Sequence, residues 1–291
     1  KIEFVQVFIT MCALNEVKGM VVYMKTVVIT GNARGFGYAM TELFRKRDFN
    51  VVLCDVNSDA LKKAKEKLEK IDSKGRILSF KTDITNEKDI DNLIKGTLKE
   101  VETIDIWINN AGVNQTSCPI WEVDTKVIDR LIDIDLKGTI LCSKMIMPVM
   151  IKQHSGQIYN VEGHGSNDAT IMGLSIYGTS KRAVTYFTKA LAYESNELNT
   201  GVLIGKITPG IMITNFINTS LGDGEKIELD EKTKKIYNIL GDYPETIANF
   251  MVDKIINNTK NNVKFAWLTN RRAAFRFITS PFNKRDFFSN K

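Results

Sequence analysis

From Lys25 onward, short runs of β-branched and apolar residues alternate with longer stretches whose apolar positions recur at helical spacing. Lys25–Thr30 (KTVVIT), Val51–Asp55 (VVLCD), Arg76–Thr82, Ile104–Asn109 (IDIWIN), Gly156–Val161, Gly201–Ile207 and Val263–Leu268 (VKFAWL) read as strands. Helical patterns cover Gly35–Arg47, Ser58–Ile71, Glu87–Val101, Val127–Gln153 (despite Gly138 and Pro148) and Ser175–Asn196. The strands lack polar alternation, so both their faces are buried, as in a parallel sheet between helices. This order predicts an α/β single-domain Rossmann fold, a doubly wound parallel sheet of about seven strands flanked by helices, over residues 24–268. The least regular stretch, Asn215–Gly241, is polar with a helical patch at Asp230–Ile236 and reads as a lid. Residues 1–23 are apolar but broken by Glu3, Glu16 and Lys18 and lack a basic leader, so they are expected outside the fold.

Between the first strand and its helix lies Thr30-Gly31-Asn32-Ala33-Arg34-Gly35-Phe36-Gly37. Glycines in a strand–turn–helix allow a tight turn and let the backbone approach a pyrophosphate, which the helix N-terminus then favours. Gly31, Asn32, Arg34, Gly35, Phe36 and Gly37 are therefore candidate dinucleotide contacts. Asp55 ends the second strand, where a carboxylate accepts hydrogen bonds from ribose hydroxyls and repels a 2′-phosphate. This favours NAD, while Arg34, a guanidinium in the loop, keeps NADP open.

Composition narrows the class. The chain has 291 residues, 43% hydrophobic and 25% charged, as in globular proteins with a sizeable core. Four scattered cysteines without a CxxC read as reduced thiols in a cytoplasmic protein, and with only two histidines no metal centre is expected. No apolar run is long enough for a membrane span. The net charge of +6 is uneven: seven basic residues against Asp286 alone fall between Lys264 and Lys291. Residues 269–291 read first as a solvated basic-aromatic tail, with a surface for an anionic partner as the alternative. Nucleic acid is not expected as a partner. Phe275, Phe277, Phe282, Phe287 and Phe288 suit packing against a neighbouring subunit, or else a membrane surface.

The spacing TGxxxGxG resembles the short-chain dehydrogenase/reductase family, and further matches follow in that family's order over about Lys25–Phe216. The resemblance implies that Asp83-Ile84 contacts adenine and that Asn109-Asn110-Ala111-Gly112 is the turn beside the cofactor. It further implies that Tyr177-Gly178-Thr179-Ser180-Lys181 holds the catalytic pair, and that Pro209-Gly210 with Thr214 holds the carboxamide. Within the family, Asn160–Ser166 followed by Tyr177–Arg182, with Tyr243-Pro244-Glu245 in the tail, resembles the chlorophyll b reductase-like enzymes. Those enzymes reduce a formyl group on a chlorin ring.

Tyr177 and Lys181 are four apart on a predicted helix and share a face. A free tyrosine titrates near about pH 10, and a neighbouring ammonium is expected to lower that value. Tyr177 then exchanges a proton with a carbonyl or alcohol oxygen, and the resemblance implies that Lys181 also reaches the nicotinamide ribose. Two positions depart from the family. Its serine falls at His164 by counting back from the tyrosine, or at Gly163 by strand end. Ser166 is the first candidate for the missing hydroxyl and His164 the second. Asp135 stands where the family has asparagine, and a carboxylate there would stabilise the Lys181 charge. Trp107 and Trp121 suit core or interface, and Arg182 a helix-surface contact.

The expected activity is interconversion of a carbonyl and an alcohol on a bulky apolar substrate by hydride transfer. An NAD-linked hydroxysteroid dehydrogenase and a non-catalytic dinucleotide sensor are the alternatives. The resemblance further implies a homodimer or homotetramer through the helices beginning near Val127 and Ser175.

Overall fold

Val27, Val28 and Ile29 are all fully buried, although consecutive strand residues point to opposite faces. The sheet they belong to must be covered on both sides. The structure, a computed structural model describing residues 23–115, 117–214, 229–283 and 285–288, shows how. Residues 1–22 and 215–228, most of the expected extension and half of the expected lid, lie outside the described residues.

The strands are β1 (Thr26–Thr30), β2 (Asn50–Asp55), β3 (Ile77–Lys81), β4 (Ile106–Asn109), β5 (Gly156–Val161), β6 (Val202–Thr208) and β7 (Val263–Ala266). All pair in parallel, in the order β3-β2-β1-β4-β5-β6-β7. The helices are α1 (Gly35–Arg45), α2 (Ser58–Leu68), α3 (Glu87–Glu100), α4 (Thr125–Leu131), α5 (Thr139–Gln153), α6 (Ser175–Glu197), α7 (Glu231–Leu240), α8 (Pro244–Ile256) and α9 (Asn270–Thr279). On one face Ile29 packs with Met40, Phe44, Leu61, Met251 and Ile255 from α1, α2 and α8. On the other, Val28 and Trp107 pack with Leu93, Ile146, Met150 and Ala192 from α3, α5 and α6. The doubly wound sheet is as the hydrophobic pattern predicts. Strand order reverses between β1 and β4, which opens a crevice at their carboxyl ends, the usual ligand site of such sheets.

Three expectations need correction. The helix expected over Val127–Gln153 begins at Thr125, and α4 and α5 are joined by a π-helical stretch, Ile132–Gly138. The wider turn brings Asp135 inside the protein, where it is fully buried. Helix α8 was not marked by the pattern, although Pro244 at its first turn and Glu245 behind it are an N-terminal signature. The strand β7 ends at Ala266, short of Trp267 and Leu268; the Trp267 N–H still reaches Thr208 O at 3.0 Å, and its indole hydrogen-bonds Asp242 at 2.6 Å.

That carboxylate also ties down residues 269–288. Asp242 Oδ2 meets Arg276 at 2.7 Å and Oδ1 meets Arg285 at 2.6 Å. The same guanidiniums donate to the carbonyls of Leu240 and Gly241 at the end of α7. Phe287 is buried, its ring edge-on to Tyr243 at 5.0 Å. The outer side of α9 leaves Phe275, Ile278 and Phe282 exposed.

Burial alone would raise the Asp242 carboxyl, but Arg276, Trp267 and Arg285 hold it below the usual carboxylate range. A carboxylate depressed in the folded state stabilises above its unfolded pKa, and the gain is lost as pH falls through the folded value. Asp242→Asn should therefore cost about 2 kcal/mol in urea unfolding near neutrality, the scale of hydrogen bonds to a charged group. The difference from the parent should close below about pH 4. A difference independent of pH would remove the Asp242 charge from this role.

Candidate active site

The loop after β1 is shaped by contacts with the turn after β4. Thr30 Oγ1 accepts the backbone N–H groups of Asn110 and Ala111, both at 3.0 Å. Asn110 Nδ2 donates to the carbonyls of Thr30 at 2.9 Å and Gly31 at 3.2 Å. A Cβ at Gly37 would lie 2.6 Å from that Nδ2, and Gly31 has φ +65°, so both positions require glycine. The first turn of α1 carries no side-chain cap: Arg34 at the N-cap is extended and makes no capping bond. Its open N–H groups are the kind that receive a phosphate. Gly35 and Phe36 begin that turn, Phe36 buried beneath it.

The structure separates the predicted contacts by what their side chains do. Asn32 is wholly buried, accepting from Cys54 N at 2.8 Å and donating to Val52 O and Thr41, so its side chain serves the fold. Asp55 ends β2, half-exposed, and accepts the Asn57 N–H. Arg34, Tyr38, Lys63 and Lys67 border a cleft of ≈ 300 Å³ between the loop after β1 and α2. Asp83 is exposed and holds the turn at Thr85, while Ile84 is buried against Gly138. Pro209 is buried and Gly210 exposed after β6, and Thr214 ends that described segment.

Tyr177, Lys181 and Asp135 come together. Lys181 Nζ lies 2.9 Å from Asp135 Oδ2 and 5.5 Å from the centre of the Tyr177 ring, with all three residues buried. Asp135 Oδ1 accepts the Val113 N–H at 2.7 Å. Gly112 covers the pair: a Cβ there would lie 3.3 Å from both carboxylate oxygens. Burial opposes the Lys181 charge, but Asp135 outweighs it and holds the ammonium above the ordinary lysine value. Burial likewise pushes Asp135 up, against the pull of Lys181.

The expected lowering of Tyr177 is not found. Burial pushes its phenol above the ordinary value; Lys181 pulls it down, while Asp135 and Tyr237 add to the rise. Asp135 opposes the field by which the lysine would have acidified the tyrosine, and burial outweighs the lysine.

The serine position is empty for a steric reason. A Cβ at Gly163 would fall on the Tyr177 hydroxyl and 3.0 Å from Cζ, so the phenol occupies that space. His164 is kept below its ordinary pKa by burial, and its Nε2 is enclosed without a hydrogen-bond partner among the described residues. Ser166 is buried and donates to the Gly163 carbonyl at 2.7 Å, so its proton is spent on its own loop. Arg182 makes the expected surface contact, bracing that loop through Ser166 O at 3.1 Å and Asp168 at 2.9 Å.

Sequence reasoning missed Gln115. It is buried, accepts the Tyr177 N–H at 2.8 Å and donates to Gly173 O at 2.7 Å, fixing the start of α6. Asn109 links Trp107, Ser143 and Asn160 across β4, α5 and β5. Trp107 is core; Trp121 is exposed beside Ile120, near Ile171 and Met172 on a loop that Ser117 and Gln115 hold close.

Asp135→Asn should remove one upward influence on Tyr177. If Tyr177 is the base in alcohol oxidation, the rise of kcat/KM with pH should move to lower pH in this variant. An unmoved profile would disconnect Asp135 from the tyrosine.

The short chain dehydrogenase family model matches residues 25–224. A probable chlorophyll(ide) b reductase of Arabidopsis thaliana is 28% identical over 283 residues, 92% of this chain and 55% of that protein. A second chlorophyll(ide) b reductase of that plant is 29% identical over 79% of this chain and 64% of its own length, so the chain spans about half to two thirds of these relatives. The crystal structure of a short chain dehydrogenase from Bacillus anthracis matches with TM-score 0.69 and 26% identity over 83% of this chain and 95% of the other. A 3-ketoacyl-(acyl-carrier-protein) reductase from Brucella melitensis, complexed with NADH, shares the fold at TM-score 0.73 and 21% identity over 86% and 99% of the two chains. No helix among the described residues is long and apolar enough to cross a membrane. With its loop, its NNAG turn and its buried tyrosine–lysine pair in place, the chain belongs to the short-chain dehydrogenase/reductase family and is an oxidoreductase of the nicotinamide-dependent kind.

Proposed function

We propose that this oxidoreductase interconverts a carbonyl and an alcohol on a bulky apolar substrate, with Tyr177 as general acid/base. The observation that carries the reading is the buried Tyr177–Lys181–Asp135 cluster at the mouth of the crevice. Bound nicotinamide supplies or takes up the hydride. Tyr177 Oη gives its proton to the substrate oxygen in reduction and recovers it in oxidation, and Lys181 holds positive charge beside it. A phenol kept protonated by burial suits the donating direction. The exposed Ile120, Trp121, Ile171 and Met172 on the neighbouring loops support an apolar substrate.

Asp55 at the end of β2 supports NAD, while Arg34, Lys63 and Lys67 leave NADP as the alternative. Exposed Ile151, Tyr186 and Tyr193 on α5 and α6 support a homodimer or homotetramer. We read the apolar outer side of α9 as a subunit contact before a lipid surface. The described cysteines, all free thiols, support a cytoplasmic site.

A screen of carbonyl and alcohol substrates, read at the reduced-nicotinamide absorbance with both cofactors, tests the activity. Tight NADH binding without any turnover would favour the sensor reading instead. Tyr177→Phe should abolish turnover and spare NADH binding; retained turnover removes Tyr177 from the mechanism. Asp55→Ala should improve use of NADP relative to NAD, and an unchanged ratio would mean that Arg34 already decides it.

A further inference from the structure

A carboxylate taken fully out of water is costly unless both its oxygens are held, so a buried glutamate outside the catalytic cluster calls for a reason. Glu162 follows directly on β5, and its side chain is wholly buried. Its Oε1 accepts from Thr185 Oγ1 of α6 at 2.8 Å, and its Oε2 accepts from Thr208 Oγ1 of β6 at 2.6 Å. Lys264 of β7 closes on Oε2 at 2.8 Å, while the neighbouring Lys206 bonds Asn262 Oδ1 at 2.9 Å. One side chain thus joins β5, β6 and β7 to α6.

Each arm ends beside a part of the site. Thr185 lies one turn after Lys181, and its hydroxyl is also 3.0 Å from the Lys181 carbonyl, so Glu162 grips the helix next to the catalytic pair. Thr208 ends β6 immediately before Pro209-Gly210. The Glu162 N–H donates to Ile207 O at 2.7 Å and carries the pairing of β5 with β6 one residue past the strand. Gly163 comes next, the surface on which Tyr177 packs: a Cβ there would lie 3.0 Å from Tyr177 Cζ and 3.1 Å from Lys181 Cγ. An apolar side chain at position 162 would fill the same space, but its contacts have no preferred direction. Two oxygens held by two hydroxyls from different elements do, and they fix how those elements sit.

We propose that Glu162 is a positioning residue for the reaction. Through Thr185 and Thr208 it holds α6, with Tyr177 and Lys181, at a set distance from the carboxyl ends of β5 and β6, the side of the sheet on which ligands bind. Lys264 balances the charge of the carboxylate and takes no part in the positioning. The proposal rests on the oxidoreductase reading above, in which Tyr177 Oη must meet the substrate oxygen.

The test compares Thr185→Val, Glu162→Met and Glu162→Gln with a carbonyl substrate found in the screen. It reads kcat per NADH-binding site, the sites being counted by NADH fluorescence. We expect Thr185→Val and Glu162→Met to lose about tenfold in kcat while NADH affinity stays within about twofold, since a displacement of about 1 Å can cost about a hundredfold. Glu162→Gln should recover most of that loss, because an amide can accept from Thr185 and donate to Thr208 without the charge. Parental kcat in Thr185→Val overturns the proposal, and this variant decides alone if Glu162→Met does not fold. Losses that vanish when counted per NADH-binding site overturn it too, because they report fewer folded molecules and not a displaced tyrosine. So does a Glu162→Gln variant as slow as Glu162→Met. Turnover surviving in Tyr177→Phe would instead sink the acid/base reading on which the proposal stands, so the two failures are distinguishable.

Discussion

A lysine ammonium taken out of water needs a partner, and the interior around Tyr177 is arranged to satisfy that need. The Lys181–Asp135 pair, at 2.9 Å with both side chains almost wholly buried, is costly unless its geometry is closed on every side. The π-helical stretch turns Asp135 inward, the Val113 amide satisfies one carboxylate oxygen, and Gly112 lets the turn after β4 lie over the pair. That same turn grips the phosphate loop through Thr30 and Asn110. The arrangement that shelters one charge thus also shapes the cofactor crevice.

The consequence for catalysis is a compromise between charge and acidity. A lysine next to a neutral partner would act on the tyrosine with its full field, whereas here the carboxylate opposes it and burial outweighs it. The phenol, kept protonated by burial, packs directly on Gly163. Asp135, and Gly163 where strand-end matching places the family serine, are positions that depart from the family pattern. Both touch the same ring or the ion pair beneath it, so they belong to one local solution.

Much of this was legible in the chain. Short continuous apolar runs without polar alternation announced a sheet covered on both faces, and the glycines of Thr30–Gly37 between strand and helix marked the crevice. Tyr177 and Lys181 fell on one helical face because four residues make about one turn. What was not legible has a common cause, since each missed feature depends on partners far apart in sequence. Gln115 lies 62 positions before the Tyr177 amide it receives, and Asp242 acts through arginines 34 and 43 positions later. The sign of the shift at Tyr177 escaped because burial decides it, and burial is a property of the fold. Lysine is its neighbour by spacing, and the aspartate that opposes the lysine is a neighbour only in the fold. Arg276 and Arg285 looked like part of a solvated tail because the carboxylate that recruits them, Asp242, precedes them by a helix and a strand.

The clamp at Asp242 also bears on the order in which the protein is made. Tyr177 and Lys181 have left the ribosome, and the first six strands can pair, well before Arg276 and Arg285 exist. A nascent chain at that stage already owns its acid–base pair but lacks the two arginines that close on Asp242. The clamp itself can form only after they emerge. Until then the exposed edge of β6 and the unanchored α7 offer the surfaces a chaperone would meet.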